Sequence, residues 1–239
     1  MIELFGSALV TFLVIIDPPG CAPIFAGLTR GATPGQTRAM ALRSSLIAWV
    51  ILMFFALLGK PMLHALGISL ASFRIAGGIM LFFIAIDMVF EKRTERREKR
   101  AEAIERTPEI EDVSVFPMAM PMIAGPGSIA SAMLWVSRAE SPVHIAVVLA
   151  AITTVIVLTL ITLLAAGPLM RLIGDKVESA ITVVMLITLA VLLAAGPLMR
   201  LIGEKVEAMI TRILGVILAA LAAQFVIDGL KQSFPHVLA

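Results

Sequence analysis

The sequence predicts an all-α membrane protein, a polytopic helical bundle. Three observations predict it: apolar content, uneven placement of charge, and proline-glycine breaks that recur at a fixed offset. Of the 239 residues, 59% are hydrophobic and 15% charged. Mean hydropathy is +1.01, above what a roughly half-apolar soluble domain reaches. Residues 4–16, 46–58 and 143–166 carry no Asp, Glu, Lys or Arg, as a hydrocarbon environment requires. Net charge is +2, but the basic residues stand in short loops between apolar runs, where they orient a chain in a bilayer; nucleic acid is not an expected partner. Cys21 is the single cysteine, which excludes an internal disulfide and a thiolate metal cluster.

With about 20 residues as a spanning length, seven apolar segments follow in order. The first, 4–28, has no Lys or Arg before it and no small-residue cleavage site after it, and so reads as a retained span rather than a signal peptide. The second is 38–58, and Arg30, Arg38 and Arg43 flank the connection that precedes it. The third, 69–90, carries Arg74 near its outer end, where the head can snorkel to the interface. It also holds Gly77-Gly78, small enough for close helix approach, and Asp87, placed at headgroup level. Residues 91–112 form a charged loop in which Lys92, Arg93, Arg96, Arg97, Lys99, Arg100 and Arg106 mingle with glutamates. That reads as a solvated extension on the cytoplasmic side, and by alternation the N-terminus is external. The fourth segment is 113–136, the fifth 143–166, the sixth 179–195 and the seventh 208–230.

Two repeats organise these segments. Pro19-Gly20 matches Pro126-Gly127, and the run from Lys60 to Gly67 matches that from Gly167 to Gly174, both at an offset of 107 residues. Residues 1–90 and 113–239 are then two halves joined by the 91–112 loop. Three helices per half is an odd number, so the second half runs through the bilayer in the opposite sense, an inverted 3+3 repeat with broken first and fourth helices. A tandem duplication interrupts the second half: 152–180 and 181–209 align without gaps and agree at about twenty of twenty-nine positions. It adds one apolar segment. Either the last helix inserts backwards, exposing Arg200, Lys205 and Arg212 on the outer side, or one copy does not span.

Four stretches resemble the MarC family of bacterial inner-membrane proteins. They are Ile16-Asp17-Pro18-Pro19-Gly20 with Pro23-Ile24-Phe25; Phe73-Arg74-Ile75-Ala76-Gly77-Gly78-Ile79; and Phe116-Pro117-Met118-Ala119-Met120-Pro121 with Ala124-Gly125-Pro126-Gly127-Ser128-Ile129-Ala130. The fourth runs from Glu207-Ala208-Met209-Ile210-Thr211-Arg212-Ile213-Leu214-Gly215 to Gln224-Phe225-Val226-Ile227-Asp228-Gly229. The resemblance implies six spans, a multi-pass place in the inner membrane, and transport of neutral amino acids. Where the family usually has Asn before the first proline, this chain has Asp17, and the second copy of the duplicated unit is not a family feature.

Proline removes a backbone donor and clashes with the preceding turn, and glycine loosens it. Pro18-Pro19-Gly20 and Gly125-Pro126-Gly127 should therefore break their helices. Asp17 lies about 20 Å from Leu4, and Pro126 roughly 16 Å from Val115, at 1.5 Å per residue, near the middle of a core about 30 Å thick. Paired breaks at matching repeat positions point to a transporter binding site, because half-helix N-termini suit a carboxylate. The expected substrate-binding residues are Asp17, Pro18, Pro19, Gly20, Gly125, Pro126, Gly127 and Ser128, with Gly77, Gly78 and Gln224. Several have plainer readings: Asp17 as a helix cap, Gly77 and Gly78 as packing residues, and Gln224 and Asp228 as a pairing across helices.

The repeats and breaks lead to the expectation of a secondary transporter of a small neutral solute, and the family resemblance implies an amino acid as that solute. A non-transporting scaffold is the alternative, and an enzyme acting on a lipid-linked substrate a weaker one, because no convergent His, Asp or Glu set appears. No catalytic residue, metal or cofactor is expected. The partners are lipid and solute, and a homo-oligomer is compatible with this reading.

Overall fold

The structure, a computed structural model, describes residues 1–29, 31–90, 112–173 and 204–234, with only the backbone path at 167–173 and 204–211. Among the described residues every regular element is helical. They are α1 (Ile2–Ile16), α2 (Pro18–Leu28), α3 (Pro34–Ala65), α4 (Leu70–Val89), α5 (Ser114–Ile123), α6 (Pro126–Ser137), α7 (Pro142–Ile173) and α8 (Glu204–Ser233). Among the described residues, five helical stretches are long and apolar enough to cross a membrane: Ile2–Leu28, Pro34–Ala65, Leu70–Val89, Pro142–Ala166 and Arg212–Ser233. A sixth is added when α5 and α6, bent by 52° at their junction, count as one.

Local chemistry sets the ends. Thr33 and Gln36 form a capping box at the start of α3, with Pro34 in the first turn, satisfying two otherwise orphaned N–H groups. At its other end Gly67, at φ 70°, turns the chain so that Ile68 N–H reaches Leu63 O at 2.9 Å. Ser69 then caps α4 by accepting from Ser72 N–H at 3.0 Å. α5 departs from α-helical geometry: Phe116 and Met120 are extended, and each precedes a cis-proline, Pro117 and Pro121.

Close contacts fix the helix directions. Gly229 lies against Ala71 and Ile75, and Gly215 against Ala85, Met88 and Val89, so α4 and α8 run antiparallel along their lengths. Arg74 bonds Ser137, Gly77 meets Leu134 and Gly127 meets Ile84, making α4 and α6 antiparallel too. α3 runs parallel to the α5–α6 pair, with Arg43 on Asp112 at 2.9 Å and Gly59 against Met133. α7 returns beside α3, where Trp49 Nε1 donates to Thr153 Oγ1 at 3.0 Å. One face of the bundle therefore carries the start of α1 and the ends of α3, α6 and α8; it is called here the N-face. The opposite face, where the 91–111 connection leaves, is the loop face.

This arrangement decides between the two readings of the tandem duplication. α7 ends and α8 begins on the loop face. α8 thus keeps the direction that a six-span scheme gives it and does not insert backwards. The expected segment 179–195 itself lies outside the described residues, as does the charged loop except for Asp112. The Asp112 carboxyl, outside the spans, is held below the usual carboxylate range, first by the hydrogen bonds from Ser114 Oγ and N–H and then by Arg43.

Candidate functional site

The first break centres on Asp17. It adopts φ 56° and ψ 68°, a left-handed conformation that Asn and Asp tolerate better than other side-chain-bearing residues. Its side chain then caps α2, accepting from Gly20 N–H at 3.2 Å. A Cβ on residue 20 would collide with that carboxylate, so Gly20 is what lets Asp17 fold back. α2 starts directly at Pro18, where a missing N–H costs nothing. The break therefore falls at Asp17 rather than within the Pro-Pro-Gly run, and α1 and α2 still make one span of 27 residues.

The second break lies between Ile123 and Pro126. Gly125 caps α6 from an extended conformation and offers no side-chain oxygen. A Cβ on Gly125 would collide with the backbone oxygen of Pro121, and one on Gly127 would press on the tip of the Ile84 side chain and touch Ile15. The Ile15 contact brings the end of α1 against the start of α6, so the two breaks adjoin. A buried hydrogen bond repeats at the two places: Cys21 Sγ donates to Ile16 O at 3.4 Å, and Ser128 Oγ to Ile123 O at 2.9 Å. Donor and acceptor are each displaced by the 107-residue offset of the sequence repeat. In each case a side chain of the second half-helix satisfies a carbonyl at the end of the first, as buried backbone requires in lipid.

A cavity of about 150 Å³ opens at the second break, lined by Ile15, Ile84, Asp87, Pro121, Met122 and residues Gly125, Pro126, Gly127 and Ser128. Gly127 faces Ile84, which is about 21 Å along α4 at 1.5 Å per residue. The cavity thus sits nearer the loop face than the midplane expected from counting. The count failed because α5 is not a regular α-helix and does not rise by 1.5 Å per residue.

The structure brings Gly125, Pro126, Gly127 and Ser128 to the cavity, and adds Asp87, which sequence reasoning left at headgroup level. Asp17, Pro18, Pro19 and Gly20 build the adjoining break without lining the cavity. Gly77 and Gly78 are buried packing residues: a Cβ on Gly77 would press on Leu134 at 2.9 Å, and one on Gly78 on Ala222 O at 2.8 Å. Gln224 is exposed and donates to Asp228 Oδ1 at 2.8 Å, toward the N-face. There Asp228 also forms an ion pair with Arg138, whose guanidinium lies 3.9 Å from the Phe225 ring centroid. Arg74, expected near the outer end of its helix, donates to Ser137 O at 2.7 Å and to Gln232 Oε1 at 3.1 Å, binding a carbonyl at the α6 C-terminus. Among the described residues no His, Cys, Asp or Glu group is placed to hold a metal ion.

The family model for MarC family integral membrane proteins matches residues 2–178 and 175–234. The chain belongs to the MarC family. The junction between the two matches falls within a few residues of the point where the tandem copies meet, at Ala180 and Ile181. Relatives share a designation of their own: a UPF0056 membrane protein of Archaeoglobus fulgidus is 31% identical over 72% of this chain and 80% of its own length. The UPF0056 membrane protein MJ1677 of Methanocaldococcus jannaschii is 35% identical over 72% and 83%, and YhcE of Escherichia coli 35% identical over 55% and 61%. No solved structure matches the chain. As a MarC family member it is a multi-pass integral membrane protein.

Proposed function

We propose that this MarC family protein is a secondary transporter of a small neutral solute, such as glycine or alanine, in the bacterial inner membrane. The observation that carries the reading is that two helix breaks, in corresponding places of the two halves, adjoin at one cavity. Unwound backbone at membrane depth is tolerated where it is buried in protein or lines a cavity, and paired breaks in corresponding places of two repeats are how transporters build substrate sites. The principal pairings also correspond when the halves are exchanged: α4 pairs with α8, α3 with α7, and each broken span with the other half's second helix. With the opposed directions of corresponding helices, this supports an inverted repeat whose halves rock about the breaks. On this reading the loop face, where the Lys- and Arg-bearing 91–111 segment leaves, is cytoplasmic, because the orientation rule counts Lys and Arg rather than net charge, and the N-terminus is external. The chain acts without catalytic residues or a cofactor.

Uptake and counterflow of radiolabelled glycine and alanine in proteoliposomes test this, with a variant lacking 181–209 alongside. Saturable uptake by both proteins is expected, because α8 has the same direction with or without the second copy. Absence of saturable uptake by either would sink the transporter reading for these solutes and favour a scaffold.

A further inference from the structure

Ser128, Ser131, Trp135 and Arg138 follow one another on α6 at spacings of three, four and three residues, which places them on one face of the helix. Ser128 lines the cavity, and Arg138 lies about 15 Å beyond it at 1.5 Å per residue, at the N-face. Three of the four buried side-chain polar atoms that lack a hydrogen-bond partner among the described residues belong to this row: Ser131 Oγ, Trp135 Nε1 and Arg138 Nε. Ser131 is wholly buried and Trp135 is 5% exposed, and an unmade hydrogen bond in such a place is expensive. Three of them in one line mark a face that is used in a conformation that wets it.

The neighbouring helices show where the row looks. Gly77 brings Leu134 of α6, and Gly78 brings Ala222 of α8, onto adjacent sides of α4, and α1 also packs against both α6 and α8. α6 and α8 therefore face each other between α1 and α4, and side chains bridge them. Trp135 stands edge-on to Phe225, with ring centroids 6.0 Å apart. Arg138 lies over the same Phe225 ring and pairs with Asp228, whose other oxygen accepts from Gln224. A plug made of side chains from two helices opens by a change of rotamers.

We propose that Arg138 and Asp228, seated on Phe225 and Trp135, form a gate at the N-face end of the solute path, and that Ser128, Ser131 and Trp135 wall the path between this gate and the cavity. The inference rests on the transport reading and adds to it a route and the side that is shut in this structure. Opening exposes Trp135 Nε1 and Arg138 Nε, both donors only, to water or to a solute carboxylate.

The test is labelling of Ser131→Cys, in a Cys21→Ser background, by a membrane-impermeant methanethiosulfonate added to vesicles that carry the full chain with its N-terminus outward. No solute is present, so the result is independent of uptake. Asp228→Asn should raise the labelling rate about tenfold or more, the range of one charge-assisted hydrogen bond. Gln224→Ala, at an exposed position, should raise it severalfold by releasing Asp228. Exchanging the charges, Arg138→Asp with Asp228→Arg, should return the rate toward that of the parent. A rate unchanged by Asp228→Asn would overturn the gate, as would one unchanged by Gln224→Ala should the first variant not be recovered folded. An equal rise at a lipid-facing Ile217→Cys would overturn it too, by reducing the effect to a general loosening of the fold. A response confined to position 131 in a protein that takes up neither glycine nor alanine would keep the gate and remove those solutes instead.

Discussion

The two helix breaks use one backbone device and finish it differently. At both, a side chain 107 residues apart in sequence returns a hydrogen bond to the carbonyl five positions before it. At the first, the new helix is closed by the Asp17 carboxylate and the chain continues as one span. At the second, Gly125 leaves the helix start uncapped, the axis bends by 52°, and a cavity opens. The shared bond is what keeps a break tolerable inside a bilayer. The cap accompanies the break that the protein itself fills, and the uncapped one borders the cavity.

The largest effect should come from filling the second break. Gly127→Val meets Ile84 and Ile15, an overpacking worth about 1–3 kcal/mol, directly on the cavity wall. Glycine binding and uptake should fall about tenfold or more, with the protein still folded by size-exclusion chromatography. Gly20→Val, at the corresponding break, should lower thermal stability by displacing the cap while the remaining folded protein binds glycine normally. Equal loss of binding in both variants would break the comparison.

A smaller effect is expected at Asp17. Asp17→Ala loses a cap worth about 1 kcal/mol and puts alanine in a left-handed conformation at roughly 1 kcal/mol more, so melting should show a loss of about 2 kcal/mol. Asp17→Asn keeps both properties and should stay within about 0.5 kcal/mol, with transport intact. The resemblance to a family that usually has Asn there fits a residue chosen for conformation and capping rather than charge. Loss of transport in Asp17→Asn at normal stability would return the charge to the mechanism.

The smallest effect belongs to the repeated bond. Exchanging its donors, Cys21→Ser with Ser128→Cys, preserves both interactions and should change stability by less than about 1 kcal/mol. Ser128→Ala should cost about that amount by leaving Ile123 O unpaired.

Much of this was legible in the sequence, for physical reasons. Hydrocarbon excludes charge, so the spans announced themselves as uncharged runs. Pro and Gly disrupt helices by steric necessity, so both breaks could be placed to within a residue or two. What escaped depended on contacts between distant segments. Asp87 was assigned a depth from its distance to the charged loop, but nothing local says that the α6 start descends to the same level. The Arg138–Asp228 pair joins residues 90 positions apart, and no local pattern reveals it. The direction of α8 was undecidable because parity counts every apolar segment as a crossing, and the packing of Gly215 and Gly229 on α4 fixes it instead. It follows that the N- and C-termini lie on the same side, a result that terminal reporter fusions would check; seven crossings would put them on opposite sides.

Protection of the cavity wall by solute tests the central claim most directly. In a Cys21→Ser background, a cysteine replacing the half-buried Ile84 would be labelled with a small maleimide in proteoliposomes, beside one replacing the lipid-exposed Ile217 as a control. Alanine is predicted to slow labelling at position 84 in a saturable manner and to leave position 217 unchanged. Labelling at position 84 that is indifferent to alanine and glycine would contradict a solute site at the second break.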